Sequence, residues 1–309
     1  MFQTVRVNRA GAEAAEWMGT KRKFWFSRDG ERWLFKAEER GTGEDWAEKI
    51  VCELAHRLGL PHVNYELAEE YDGPVYLQPG VICPQCAPTP LNLVLGNQLL
   101  LARDPNYPGA SAQRYKVKEY TVEAVTLCVR SLGLPSTEWL QDLPAGIATS
   151  LDVFIGYILL DAWTANQDRH HENWGALRLP ADPSLRLSPT FDHGASLARN
   201  LSDDERKDRL ETRDSGRRVG TFAARARSAF YAAANTSRTL NTVDTFSAFA
   251  AAAPGAAKVW LTQLASVTTA EVESIIREVP PNRMSAVTRR FTLELLTVNQ
   301  QRLLALELP

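Results

Sequence analysis

The pattern of apolar and polar positions changes character once along the chain. Up to about residue 80 the apolar runs are short and rich in aromatics. Residues 23–27 and 32–37 form two such runs, separated by Asp29-Gly30, a pair that favours a tight hairpin turn. In the second run Trp33 and Phe35 face one way, and Leu34 and Lys36 the other. The spacing then predicts a helix starting at Thr42, with Asp45 as its capping-box partner. Ala47, Ile50, Val51, Leu54 and Leu58 line one face of it, Gly59 ends it and Pro61 blocks its continuation. Residues 63–68 and 74–78 predict a second hairpin, turned at Tyr71-Asp72-Gly73. Strand, strand, helix, strand, strand makes a small sheet with one helix packed on it.

Beyond residue 80 the periodicity is mainly helical. Residues 120–132 and 147–165 predict helices, and the second is apolar around most of its circumference, as a buried central helix must be. Residues 166–174 are a polar loop, and residues 176–179 and 185–187 predict a small hairpin. From Asp192 the chain reads as helical to its end, with a last helix over residues 283–308. The fold class is α+β, with a small β-rich unit over residues 1–80 and a large helical unit over residues 81–309. Such a length, 309 residues, suits two lobes better than one core.

Bulk chemistry narrows the function by exclusion. A net charge of -2 gives no sign of a nucleic-acid or membrane surface. Four cysteines do not make a disulfide framework in a chain of this size. The most apolar run, residues 153–160, is bounded by Asp152 and Asp161 and is too short to span a bilayer. No apolar core of a signal peptide follows Met1, so a cytoplasmic protein is expected.

Candidate chemistry begins at Asp168-Arg169-His170-His171-Glu172-Asn173. Asp168 and Asn173 stand five residues apart, and nineteen residues after Asn173 comes Asp192, in Phe191-Asp192-His193-Gly194. A general base, a metal-binding amide and a metal-binding carboxylate in that order form the pattern of an ATP-dependent phosphotransferase. Asp168 would orient an acceptor hydroxyl or take its proton, while Asn173 and Asp192 would hold Mg²⁺ through hard oxygen ligands. Upstream, Lys36 lies on a strand, where it could reach the nucleotide phosphates. Glu48 sits one turn inside the next helix as its partner, with Glu44 and Glu53 as alternatives. Residues 18–23 occupy the place of a phosphate-covering loop, and Gly19 and Thr20 are its candidate binding residues. Tyr76, Leu77 and Gln78 are placed by position at the adenine.

Other features read differently. Cys83 and Cys86 resemble half of a zinc site without a second pair. His170, His171 and His193, with Asp168 and Asp192, would alternatively be transition-metal ligands of a phosphohydrolase, a reading that leaves Lys36 and Glu48 without a role. The arginine-rich residues 206–227 read most simply as a solvated helical face.

At these motifs the chain resembles the HipA-like serine/threonine kinases of bacteria. Asp168, His170 and Asn173 match that family's Asp-x-His-x-x-Asn pattern, and Lys36 and Asp192 fall on its catalytic positions. The resemblance implies a bilobed kinase fold, ATP and Mg²⁺ as cofactors, and phosphorylation of a serine or threonine on a protein substrate. It also makes His170 a candidate member of the catalytic set. Toxin members carry a further N-terminal subdomain that docks an antitoxin. Lys36 comes too early for that subdomain here, so a HipB-like partner is not expected. A lipid or small-molecule acceptor, or a nucleotide-binding module with little turnover, would keep the same residues.

Overall fold

The computed structural model describes residues 1–15, 22–38, 41–109, 115–182 and 184–308. Nine strands are present among them: β1 (Thr4–Asn8), β2 (Ala12–Ala15), β3 (Lys23–Arg28), β4 (Glu31–Ala37), β5 (Glu66–Asp72), β6 (Val75–Pro84), β7 (Asn92–Leu95), β8 (Gly175–Arg178) and β9 (Leu185–Leu187). The first six form one sheet in the order β1-β5-β6-β4-β3-β2. Both expected hairpins are there. Asp29 and Gly30 take positive φ between β3 and β4, as the turn requires. Strand β1 pairs parallel to β5 and is an addition to the expected set. Its pattern, with Val7 the buried side chain, is too short to signal a strand by itself.

The first helix, α1 (Glu44–Leu58), buries Ala47, Ile50, Val51, Leu54 and Leu58, as its spacing requires, and Gly59 ends it in the left-handed conformation. Its start differs from the expectation. Gly43 is the N-cap, and Thr42 makes no cap bond. The Glu38 carboxylate instead accepts the Glu44 and Thr42 amides, and the Thr42 hydroxyl accepts from Arg199. A side chain from outside the helix therefore satisfies one of its orphan donors, the Glu44 amide.

The chain then forms α2 (Gly96–Arg103), α3 (Val122–Arg130), α4 (Ser150–Thr164), α5 (Asp203–Glu211), α6 (Val219–Ala224), α7 (Thr242–Ala250), α8 (Pro254–Ser266), α9 (Thr269–Glu278) and α10 (Ala286–Leu304). Helix α4 is the buried central helix. Every residue in it but Asp152 is buried, and Asp152 closes a capping box with Thr149. Around it pack Phe246 and Phe249 of α7 and Trp260 of α8, in a core continuous with the inner face of α1. Gly156 is required here, because a Cβ would lie 2.6 Å from both Leu60 and Trp260. Strands β7, β8 and β9 make a separate small sheet at the edge of this helical core. The β8–β9 hairpin was expected; β7 was not. No helix among the described residues is long and apolar enough to cross a membrane.

His62, in the connection after α1, is buried, and its Nδ1 donates to the Leu60 carbonyl oxygen at 2.6 Å. Burial pushes its pKa below 6.5. The folded protein thus holds it neutral while the unfolded chain protonates near pH 6.5. Stability from this site is complete above about pH 6.5. It declines as the pH falls towards the folded pKa, by about 1.4 kcal/mol per pH unit for one proton. Urea unfolding between pH 7.5 and 5.5 should show a slope to which the buried His193, held neutral in the same way, also adds, and His62→Gln should lessen it. An unchanged slope in the variant would show that His62 is not the titrating group.

Candidate active site

Lys36 stands near the end of β4, opposite Lys23 on β3 and Val81 on β6. Its ammonium donates to Asp192 Oδ1 at 3.0 Å, Glu48 Oε1 at 3.2 Å and the Tyr65 hydroxyl at 3.2 Å. Burial alone would lower its pKa. Asp192, Tyr65 and Glu48 outweigh that effect and hold it well above the usual lysine value, so Lys36 is charged. Burial likewise acts to raise Asp192, but Lys36 draws its carboxyl far below the usual range. Glu48 is more deeply buried, and desolvation raises its pKa in spite of Lys36. Its second oxygen accepts the His193 amide at 2.8 Å. Thus Glu48 fixes both the lysine and the backbone beside Asp192. Asp192 itself takes φ 59°, a conformation that aspartate tolerates better than most residues. Tyr65 accepts the Asp192 amide as well as Lys36. The sequence signalled nothing special about Tyr65; it reads as one more aromatic in a strand-like run.

The polar loop after α4 is built from below. Asp161, in the last turn of the helix, accepts two bonds from the Arg169 guanidinium, at 2.7 and 2.8 Å, and a third from Asn166 at 2.8 Å. Arg169 is only 1% exposed and also donates to the Asn173 carbonyl oxygen at 2.7 Å. Burial opposes its charge, and Asp161 more than restores it. Tyr120 closes the strut by donating to the Arg169 carbonyl oxygen. On this platform Asn166 Oδ1 accepts the Asp168 amide, and Asn173 Nδ2 donates to the Asp168 carbonyl oxygen at 2.7 Å. The two residues singled out by spacing are therefore physically locked together. Asp161 and Arg169 were missed as a pair; an acid inside an otherwise apolar helix was the available signal.

His170 is buried, and its Nδ1 accepts the Glu172 amide, so its proton lies on Nε2. Nε2 faces Asp168 Oδ1 at 3.7 Å, which is electrostatic support rather than a hydrogen bond. His171 and His193 lie in the interior instead, bonded to Tyr107 and to Thr190 respectively. Among the described residues no group of three or more histidines, cysteines, aspartates or glutamates is placed to hold a metal. That arrangement removes the support for a histidine-rich transition-metal centre. Cys83 and Cys86 are free thiols, pushed up to about 12 and about 11 by burial, and among the described residues no further ligands stand with them to make a zinc site.

Lys36, Glu48, Asp168, His170, Asn173 and Asp192 line one cavity of about 390 Å³, within the size range of small-molecule sites. Its apolar part includes Leu34, Val63, Val81, Leu95 and Phe191. Tyr76, Leu77 and Gln78 do not line it. Strand β6 runs longer than the hairpin pattern implied, so these three stay within the sheet. Gln78 binds Glu70, and Tyr76 stands against Tyr71. The residues beside the cavity at the far end of β6 are Cys83, Pro84 and Cys86. Gly19 and Thr20 lie outside the described residues, while Lys23, at the start of β3, lines the cavity.

No protein-family model matches the sequence, and no curated protein matches it. Solved structures do. The proinflammatory kinase CtkA of Helicobacter pylori superposes with a TM-score of 0.70 at 17% identity, covering 99% of this chain and 100% of that one. HipA of the Shewanella oneidensis MR-1 toxin–antitoxin system, solved with HipB and operator DNA, gives a TM-score of 0.55 at 13% identity. That match covers 93% of this chain and 64% of HipA. The protein thus has the fold of the CtkA kinase and of HipA, a β-sheet lobe joined to a helical lobe.

Proposed function

We propose that this protein is an ATP- and Mg²⁺-dependent protein serine/threonine kinase. The observation that carries the proposal is the convergence of Lys36, Glu48, Asp168, Asn173 and Asp192 on one cavity, with Lys36 bonded to both Glu48 and Asp192. The donor set fits the cofactor. Asp192 keeps a charged carboxylate that is 38% exposed, and Asn173 spends its amide nitrogen on Asp168, which turns the amide oxygen to ligation. Mg²⁺ takes few protein oxygens and completes its shell with water and phosphate, so a full protein cage is not needed.

When bound, ATP supplies the γ-phosphoryl group and Mg²⁺ neutralises charge on it. Lys36, held charged by Glu48, binds phosphate oxygens. Asn173 and Asp192 hold the metal. Asp168 orients the acceptor hydroxyl and receives its proton, and the Asp161–Arg169 strut keeps that carboxylate in place.

Purified protein given labelled ATP and Mg²⁺ should transfer label to itself or to protein in an extract, and the label should be recovered as phosphoserine or phosphothreonine. Asp192→Asn should lose Mg²⁺-dependent ATP binding in calorimetry. Label found only in the metabolite or lipid fraction would change the acceptor class, and binding without transfer would reduce the protein to a nucleotide-binding module. No ATP binding at all would overturn the proposal.

A further inference from the structure

A carboxylate that serves an acceptor hydroxyl must meet it at about 2.6–3.2 Å. Asp168 already meets a hydroxyl at that distance. Tyr115 donates its phenolic proton to Asp168 Oδ1 at 2.8 Å. The Tyr115 ring stands edge-on to His170, with centroids 5.3 Å apart and planes at 88°. It lines the same cavity as Lys36 and Asp192. The other Asp168 oxygen faces Asn173 Nδ2 at 3.4 Å. Tyr115 thus holds Oδ1, while Oδ2 stands beside Asn173.

We infer that Tyr115 is a specificity-determining residue that takes the acceptor's place at Asp168 and yields it only to an acceptor that binds well. The inference rests on the phosphotransferase reading above. A phenol and an aliphatic alcohol each offer one O–H to a carboxylate, so they compete for the same oxygen. Tyr115 is 52% exposed, so its side chain can leave for solvent without opening a hole in the core. An acceptor must still replace a hydrogen bond to a charged group, which is stronger than one between neutral groups. Water brings no further contacts and competes poorly. A protein acceptor brings many and can displace the tyrosine. The device would therefore restrain wasteful hydrolysis of ATP in the absence of acceptor.

Tyr115→Phe keeps the ring against His170 and removes only the hydroxyl. The test compares it with the wild type in two assays: ATP hydrolysis without acceptor, and phosphorylation of dephosphorylated casein, with Asp168→Asn as the blank. Hydrolysis should rise by roughly tenfold in Tyr115→Phe. The KM for casein should fall by a similar factor, with the KM for ATP unchanged. Unchanged hydrolysis and unchanged casein KM in an active enzyme would overturn the inference and leave the kinase reading standing. So would phosphate recovered on Tyr115 itself, which would make it an acceptor. A wild type that binds no ATP, or that transfers no label to itself, to casein or to protein in an extract, would remove the kinase reading, and this inference with it.

Discussion

Asp168→Asn should reduce phosphoryl transfer by about 10²–10⁴-fold, the range over which positioned general bases act. The substitution is nearly isosteric, and the bonds that hold the loop do not depend on the carboxylate charge. Asn173 Nδ2 is bonded to the Asp168 carbonyl oxygen, and Asn166 Oδ1 accepts the Asp168 amide. Both survive the change, and an asparagine oxygen can still accept from Tyr115. What disappears is the proton acceptor for the attacking hydroxyl. ATP affinity should therefore stay within about twofold of the wild type, since Lys36, Glu48 and Asp192 are untouched, and the loss should fall on kcat. Steady-state assays beside calorimetric ATP titration separate the two. An unchanged kcat would show that Asp168 is not the base.

The largest expected effect on stability lies under the site. Arg169→Met leaves Asp161 buried with Asn166 as its remaining side-chain donor, because both guanidinium bonds are lost. Breaking a buried pair from one side typically costs 3–5 kcal/mol, roughly. The melting temperature should fall by about 5–8 °C in a chain of this size. Removing both charges in Asp161→Asn with Arg169→Met should recover much of the loss, since the unpaired charge is the main penalty. Activity should not return in the double variant, because Arg169 also donates to the Asn173 carbonyl oxygen. Thermal unfolding of the two single variants and the double one gives the coupling directly. A single Arg169→Met variant within 1 kcal/mol of the wild type, on the scale of ordinary surface changes, would refute the strut.

The candidate-site residues are built on elements of unequal precision. Lys36 and Glu48 come from a strand and a helix of the sheet lobe, whereas Asp168 and Asn173 come from a loop. Loops hold geometry poorly unless something underpins them. Here the underpinning is ionic and buried, and it rises from α4, the most deeply buried helix. Asp192 is tied to the sheet lobe through Lys36 and Tyr65, so the two lobes meet at the charged groups of the candidate site.

Much of this was legible in the chain. Period-two runs with Asp-Gly turns marked the two hairpins, a one-sided apolar face marked α1, and an all-round apolar segment marked α4. Local sterics and burial act over a few residues, so a few residues report them. That the five residues from Lys36 to Asp192 belong together was also legible, because the phosphotransfer pattern admits few residue types in few orders, and they meet at one cavity. Contacts between distant segments were not. Strand β1 exists because β5 offers it an edge, and α1 begins after Gly43, where Glu38 reaches across to the Glu44 amide. Tyr76, Leu77 and Gln78 missed the cavity because the length of β6 is set by its partners β4 and β5, not by its own pattern. Likewise Tyr65, Arg169 and Tyr115 are ordinary residues by composition. Their roles come from which side chain lies within hydrogen-bond reach of which, and only the folded chain decides that.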